Sequence, residues 1–239
     1  MLYNTVNPLT GDHAERLCDT WGYNYNGFYT VYLIDSTVTY RDAVIKVLSN
    51  LNAYYRDYDW EHGSADGDAD ATESAINLYN REPIPSVAEW IDNQIQVMWS
   101  KQREDGIIEG WHGDGNFART SIMYALWKTK GVTIEPWKPD IYYGAEMKGN
   151  TLYISIRADS TQQCRIIFDR QRFKHNLHLP IDYPRINQFP EWFTLKAEKN
   201  YSIKSNLKLK SAYSGEELGA GLAVDLQAGN TVKLIISEK

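Results

Sequence analysis

Between Pro136 and Pro139 the spacing of apolar residues changes its period, and no single regular layer accommodates both halves of the chain. Before this point Val44, Val47, Leu48, Leu51 and Tyr55 recur every three to four residues, which places them on one face of an α-helix. After it Leu152, Ile154 and Ile156 alternate, as do Val232, Leu234 and Ile236, the period of strands that bury one face. The expected architecture is therefore α then β: a helical-hairpin domain over 1–136 followed by an antiparallel β-sandwich domain over 137–239.

In the first part the spacing predicts helices over about 21–35, 40–56, 71–80, 86–102 and 116–130. Their expected start signals are Thr39 with Asp42, Asp70 with Glu73, and Pro85 with Ser86 and Glu89; Gly131 is the expected stop of the last helix. In the second part "AEMKGNTLYISIRA" reads as a hairpin around Gly149–Asn150, and "CRIIFD" and "TVKLIIS" read as further strands. The stretch "HLPIDYPRINQFPEWF", 178–193, carries three prolines and four aromatics and is expected to be a long ordered loop.

Composition removes several classes of function. A net charge of −6 without a basic stripe argues against nucleic acid as a partner. No apolar run approaches the roughly 20 residues of a membrane span. Residues 1–17 lack a basic flank followed by an apolar run, but a mature secreted or periplasmic protein would also lack one, so location stays open. Cys18 and Cys164, in dissimilar segments, are expected to be free thiols. Aromatic residues make up 13%, and tyrosine and tryptophan suit both a core and the flat faces of sugar rings.

Three segments resemble one another: "CDTWGYNYNG" (18–27), "WEHGSADGDAD" (60–70) and "EGWHGDGNFA" (109–118). Aligned on Asp19, Asp66 and Asp114, they lie 47 and 48 residues apart, and each holds a tryptophan and a glycine. A fixed step of this size is the signature of stacked helical hairpins. The first, third and fifth helices then run the same way, and the three segments share one end of the layer at helix N-termini, where carboxylates and polar ligands are favoured.

Helical hairpins of this length followed by a β-sandwich resemble the C-terminal part of the six-hairpin (α/α)-toroid carbohydrate-active enzymes. "DGDADATESAINLYNREP" and "IIEGWHGDGNFARTSIMYALWKTKGV" also resemble a group of uncharacterised bacterial glycosidase-like proteins. The resemblance implies a partial toroid and activity on a carbohydrate. It carries no catalytic assignment, and a full toroid has about twelve helices where this chain offers five.

The chemistry is read from the residues themselves. Glycoside hydrolysis needs two carboxyls flanking the scissile bond; Asp114 and Glu109 supply one pair, and Asp66, Asp68 or Asp70 from the adjacent segment equally supplies the partner. His112 suits acid–base work, which would fit elimination next to a uronic carboxylate, with Arg119 or Arg16 holding that carboxylate. Trp21, Trp60, Trp111 and Tyr23 are the expected sugar platforms, with Asn116, Arg119 and Asp70 as further binding residues. Arg119 falls in a helix's first turn, an unfavourable place for a cation, so an anionic partner is expected, with Asp114 the nearest choice. "DGDAD" lacks the glycine and the glutamate of a calcium loop, and His175 and His178 lack a cysteine or carboxylate cluster, so neither a metal nor a cofactor is expected. The expected function is a glycoside hydrolase, with a uronic-acid lyase or a non-catalytic carbohydrate-binding protein as alternatives. With five helices of a toroid, the chain is expected to pair as a homodimer through helix 21–35 or 40–56, to be covered by its own residues 1–17, or to be completed by a preceding half.

Overall fold

The computed structural model describes residues 1–108 and 114–239, with Asp114 described by its backbone alone. Its chain divides into two units, one of residues 1–124 with 181–190 and the other of 125–180 with 191–239.

The first unit is helical. Helix α1 (Trp21–Asp35) is followed by α2 (Val38–Tyr54), a short 3₁₀ turn (Trp60–Gly63), α3 (Ala65–Arg81), α4 (Pro85–Trp99) and α5 (Asp114–Thr129), which continues into the second unit. Helix α3 starts six residues earlier than the sequence predicts. Its cap is Ser64, whose hydroxyl accepts from the Gly67 amide, so Asp70 sits inside the helix and caps nothing. The predicted capping pairs at Thr39–Asp42 and Ser86–Glu89 are also absent: α2 starts after Thr37 and α4 after Ile84, neither with a side-chain cap, although Pro85 does occupy the first turn of α4. Gly131, at φ 79, closes α5 as expected.

Contacts fix the helix directions. Gly22 meets Ser74 and Tyr29 donates to Glu82 at 2.8 Å, so α1 and α3 run the same way. Asn116 reaches Asp66 and Thr120 donates to the Ala69 carbonyl at 3.1 Å, so α5 is parallel to α3 as well. Arg41 at the start of α2 grips Glu82 just past the end of α3 through two hydrogen bonds of 2.5 and 2.9 Å, so α2 runs the opposite way. Tyr124 to Asp92 and Trp99 to Ser121, both at 2.9 Å, set α4 antiparallel to α5. This is a layer of helical hairpins. The aromatic side chains of α1 pack within it: Tyr25 lies edge-on to Trp21 and Phe28, Phe28 meets Tyr40, and Tyr29 is buried. Residues 1–17 bridge on themselves at Tyr3–Leu17 and Val6–His13, with the Leu17 amide held by the Tyr58 hydroxyl.

The second unit is a β-sandwich. Its strands are β1 (Thr133–Glu135), β2 (Ile141–Lys148), β3 (Thr151–Ala158), β4 (Gln162–Ile167), β5 (Asp169–Arg170), β6 (Thr194–Leu195), β7 (Asn200–Ser205), β8 (Ala212–Ser214), β9 (Leu222–Leu226) and β10 (Thr231–Glu238), with short helices α6 (Arg172–His175) and α7 (Gly215–Gly219) between them. One antiparallel sheet has the order β2-β3-β10-β7-β8 and the other β1-β4-β9; β5 and β6 form a small parallel pair. The predicted hairpin turns at Gly149, whose φ is 57. Inward residues of both sheets, among them Ile154, Ile156, Leu234, Ile166 and Val224, merge in one buried cluster. Both cysteines are free thiols, and Cys164 belongs to this cluster.

Candidate functional site

A helix buried on all sides is normally apolar throughout. Helix α3 departs from that rule. Thirteen of its seventeen residues are buried, yet these include Asp68, Asp70, Thr72, Glu73, Ser74 and Asn77. Groups of this kind stay inside only where partners offset their lost hydration. Asp68 finds Lys101 at 3.1 Å. Asp66, Asp70 and Glu73 follow at steps of four and three, which puts all three on one stripe of the helix.

That stripe is where the other elements converge. Asn116 in the first turn of α5 donates to Asp66. Arg119, one turn further on, donates to Asp70 at 3.1 Å and forms an ion pair with Glu73. Tyr23 in the first turn of α1 hydrogen-bonds to Asp70. The fourth contributor is segment 181–190. Arg185 approaches Glu73 at 3.6 Å and lies over the Tyr23 ring, and Gln188 donates to Glu73 at 3.4 Å. The segment is fastened at its start by Arg81 and Asp182 at 2.7 Å, with Asn187 donating back to Asp182 at 3.1 Å. Arg185 holds a left-handed backbone, φ 65, which a non-glycine residue keeps only where its surroundings enforce it.

Burial sets the electrostatics. It raises the Asp70 carboxyl above the ordinary aspartate range; the Tyr23 hydrogen bond opposes the rise and Asp66, one turn away, adds to it. Glu73, with no exposed surface, is raised by burial against the pull of Arg119 and Arg185. Tyr23 is pushed up by its own burial and then by Asp70, so its hydroxyl stays protonated and acts as a donor. The arrangement offers a carboxyl that keeps its proton to higher pH than usual, a second carboxylate beside it and a fixed phenolic donor.

Of the residues singled out in the sequence, Tyr23, Asp66, Asp70, Asn116 and Arg119 come together here. Arg119 pairs with Asp70 and Glu73, which supply the anionic partner expected of it. Trp21 and Trp60 are corrections: both have zero exposed surface and serve the core, with Trp60 against Tyr58 and Trp90, so neither presents a face to a sugar. Glu109, Trp111 and His112 lie outside the described residues, and Asp114 is known only as the first residue of α5. The motif "DGDAD" is helical rather than a loop. Among the described residues no group of three histidine, cysteine or acidic side chains could hold a metal ion, and no helix is long and apolar enough to cross a membrane.

Sequence reading missed Glu73, Arg185 and Gln188. Glu73 was legible only as a capping partner for Asp70, an error that follows from starting α3 six residues late. Nothing in "PRINQ" marks Arg185 as a residue that reaches α3. Comparison with protein-family models and with curated proteins finds no match for the chain.

Proposed function

We propose that the helical unit is a carbohydrate-active site of the glycoside-hydrolase kind, with Asp70 as the proton-holding carboxyl and Asp66 as its partner carboxyl. The observation that carries this reading is the Asp70 environment. Its carboxyl is 7% exposed, is raised by burial and stands one helical turn from a second, more accessible carboxylate. Two carboxyls whose surroundings set them apart are what acid-assisted cleavage of a glycosidic bond requires. Tyr23 and Asn116 supply hydrogen-bonding groups at the same place. Glu109, His112, Asp114 and Trp111 remain in the proposal on sequence grounds, as neighbours along the chain of Asn116 and Arg119.

Elimination at a uronic acid is the second reading. It is disfavoured for Tyr23 as the base, because a hydroxyl pushed up in pKa gives up its proton less readily. A panel of oligosaccharides and polysaccharides separates the readings. Hydrolysis yields new reducing ends with no ultraviolet-absorbing product, and Asp70→Asn should lower that rate by about 10²-fold or more. An unsaturated product would replace the hydrolase reading with a lyase. Glycan binding without turnover would reduce the protein to a binding module.

A further inference from the structure

The β-sandwich has two solvent-facing sheet faces, and they differ in charge. On the outer side of the three-stranded sheet, Arg165 is paired with Glu135 at 3.1 Å, and Asp225 stands beside them holding Gln163. The outer side of the five-stranded sheet carries Lys148, Arg157, Lys204 and Lys233, all exposed. Glu146 answers Lys148 at 3.8 Å and Asp159 answers Arg157 at 3.3 Å. Lys204 and Lys233 have no acidic partner among the described residues. A basic face of this kind stands out on a chain whose net charge is −6.

The relief of that face follows from its register. Tyr153 pairs with Ile235 across β3 and β10, and both side chains stand exposed as a ridge. On one side of the ridge Gly144 and Ser155, partners across β2 and β3, leave a depression of about 360 Å³ bordered by Lys233 and by Glu146, whose charge Lys148 answers. On the other side Thr151, Ser202 and Ser237 floor a second depression of about 280 Å³ beside Lys204. Both depressions share Tyr153 and Ile235. The ridge crosses the strands, and the two hollows therefore form one groove running mainly along them, interrupted by a flat aromatic ring, with one unpaired lysine at each hollow.

The geometry points to a binding face for an anionic polysaccharide on the outer side of the five-stranded sheet, with Tyr153 as the ring-stacking ridge and Lys204 and Lys233 as the cation contacts. The inference goes beyond the site on α3: it lies wholly in the other unit and needs no reaction. Charge complementarity selects a polyanion. The small hydroxyl-bearing floor and the ring between two hollows suit successive sugar rings. A nucleic acid is a poorer fit. Two unpaired lysines make too few phosphate contacts, and a single ridge offers one base to stack on, since Tyr142, also exposed on this face, is tied through its hydroxyl to Asp159 at 3.1 Å.

The test is retention of the full chain on four immobilised polymers: polygalacturonate, dextran sulfate, neutral dextran and single-stranded oligothymidylate. Retention on polygalacturonate, on dextran sulfate or on both supports the proposal, and the pattern tells whether carboxylate or sulfate is the anion read. Retention should weaken as salt rises. A Lys204→Gln/Lys233→Gln variant and, separately, Tyr153→Ala should each bind about tenfold more weakly, the size expected for two lost ionic contacts or one lost stacking face. Because Lys204 and Lys233 lie in the other unit from Asp70, weaker retention of the folded lysine variant reports on the sheet face and is separate from failure of the proposed hydrolase. Should Tyr153→Ala fail to fold by circular dichroism, the lysine variant alone decides. Equal retention on neutral dextran, equal or tighter binding of the oligothymidylate, unchanged binding in the folded variants, or no retention at all would each overturn the proposal.

Discussion

The guanidinium of Arg185 lies 3.2 Å from the centroid of the Tyr23 ring, although the two residues are 162 positions apart in the sequence. The stack joins segment 181–190 to α1 while the same guanidinium reaches Glu73 on α3. Arg185 is partly exposed, so its cation–π contribution falls between the surface and the desolvated values. Arg185→Ala is expected to cost about 1–2 kcal/mol in urea unfolding. Amide exchange over 181–190 should quicken in the same variant. Unchanged exchange there would show that Arg81–Asp182 and Gln188–Glu73 hold the segment without the stack.

Arg119 and Glu73 set a larger effect. Glu73 is wholly buried, so removing its cation leaves a buried charge without its nearest partner. Arg119→Met should destabilise the protein by about 3–5 kcal/mol. The double variant Arg119→Met/Glu73→Met should recover most of that loss, because both charges then leave the interior together. Thermal unfolding of the four proteins of the cycle measures the coupling.

Asp70 gives a pH dependence whose sign is opposite to that of a salt-bridged carboxylate. Its folded pKa lies above the unfolded value, so the folded state binds more protons in the window between the two. Stability contributed by this group is therefore fully present at acid pH and lost as pH rises from the ordinary aspartate value through the raised one. Asp70→Asn should flatten the slope of the unfolding free energy in that mildly acidic window. A slope that steepens or is unchanged would contradict the burial argument.

Gly22 is fixed by close approach. A β-carbon there would overlap the Ser74 side chain, where α1 and α3 cross. Gly22→Ala should cost about 1–3 kcal/mol through overpacking. Ser74→Gly removes the atoms in the way, and the double variant should regain part of the loss in a denaturant titration.

Lys130 sits in the second unit with Nζ 5.5 Å from the Trp127 ring and 4.9 Å from the Trp192 ring. Burial, assisted by Lys128, pulls its amine down to about 8. The folded state then binds fewer protons than the unfolded chain between about 8 and the ordinary lysine value, so this group's contribution to stability rises with pH across that window. Lys130→Met should abolish the rise, as read from melting temperatures between the two values.

Much of the fold was legible in the sequence, because it rests on local spacing. The helical period of Val44, Val47, Leu48 and Leu51 and the alternation of Leu152, Ile154 and Ile156 each fix a buried face within a few residues of chain, and those faces are buried as the pattern requires. Helix α1 spans the very residues, 21–35, that its apolar pattern indicated. The site was legible in part. Tyr23, Asp66, Asp70 and Asn116 could be named from the recurring segments, because a repeat announces that its members stack, and Arg119 follows directly on the last of them. Their partners could not. Glu73 looks like an ordinary helix residue until α3 is seen to be buried on every side. Its contact with Gln188 spans 115 residues of sequence, and no local pattern carries that information. That Trp21 and Trp60 are fully buried while Tyr153 is exposed has the same cause. An aromatic side chain serves equally as core or as platform, and only the tertiary packing around it decides which face meets water.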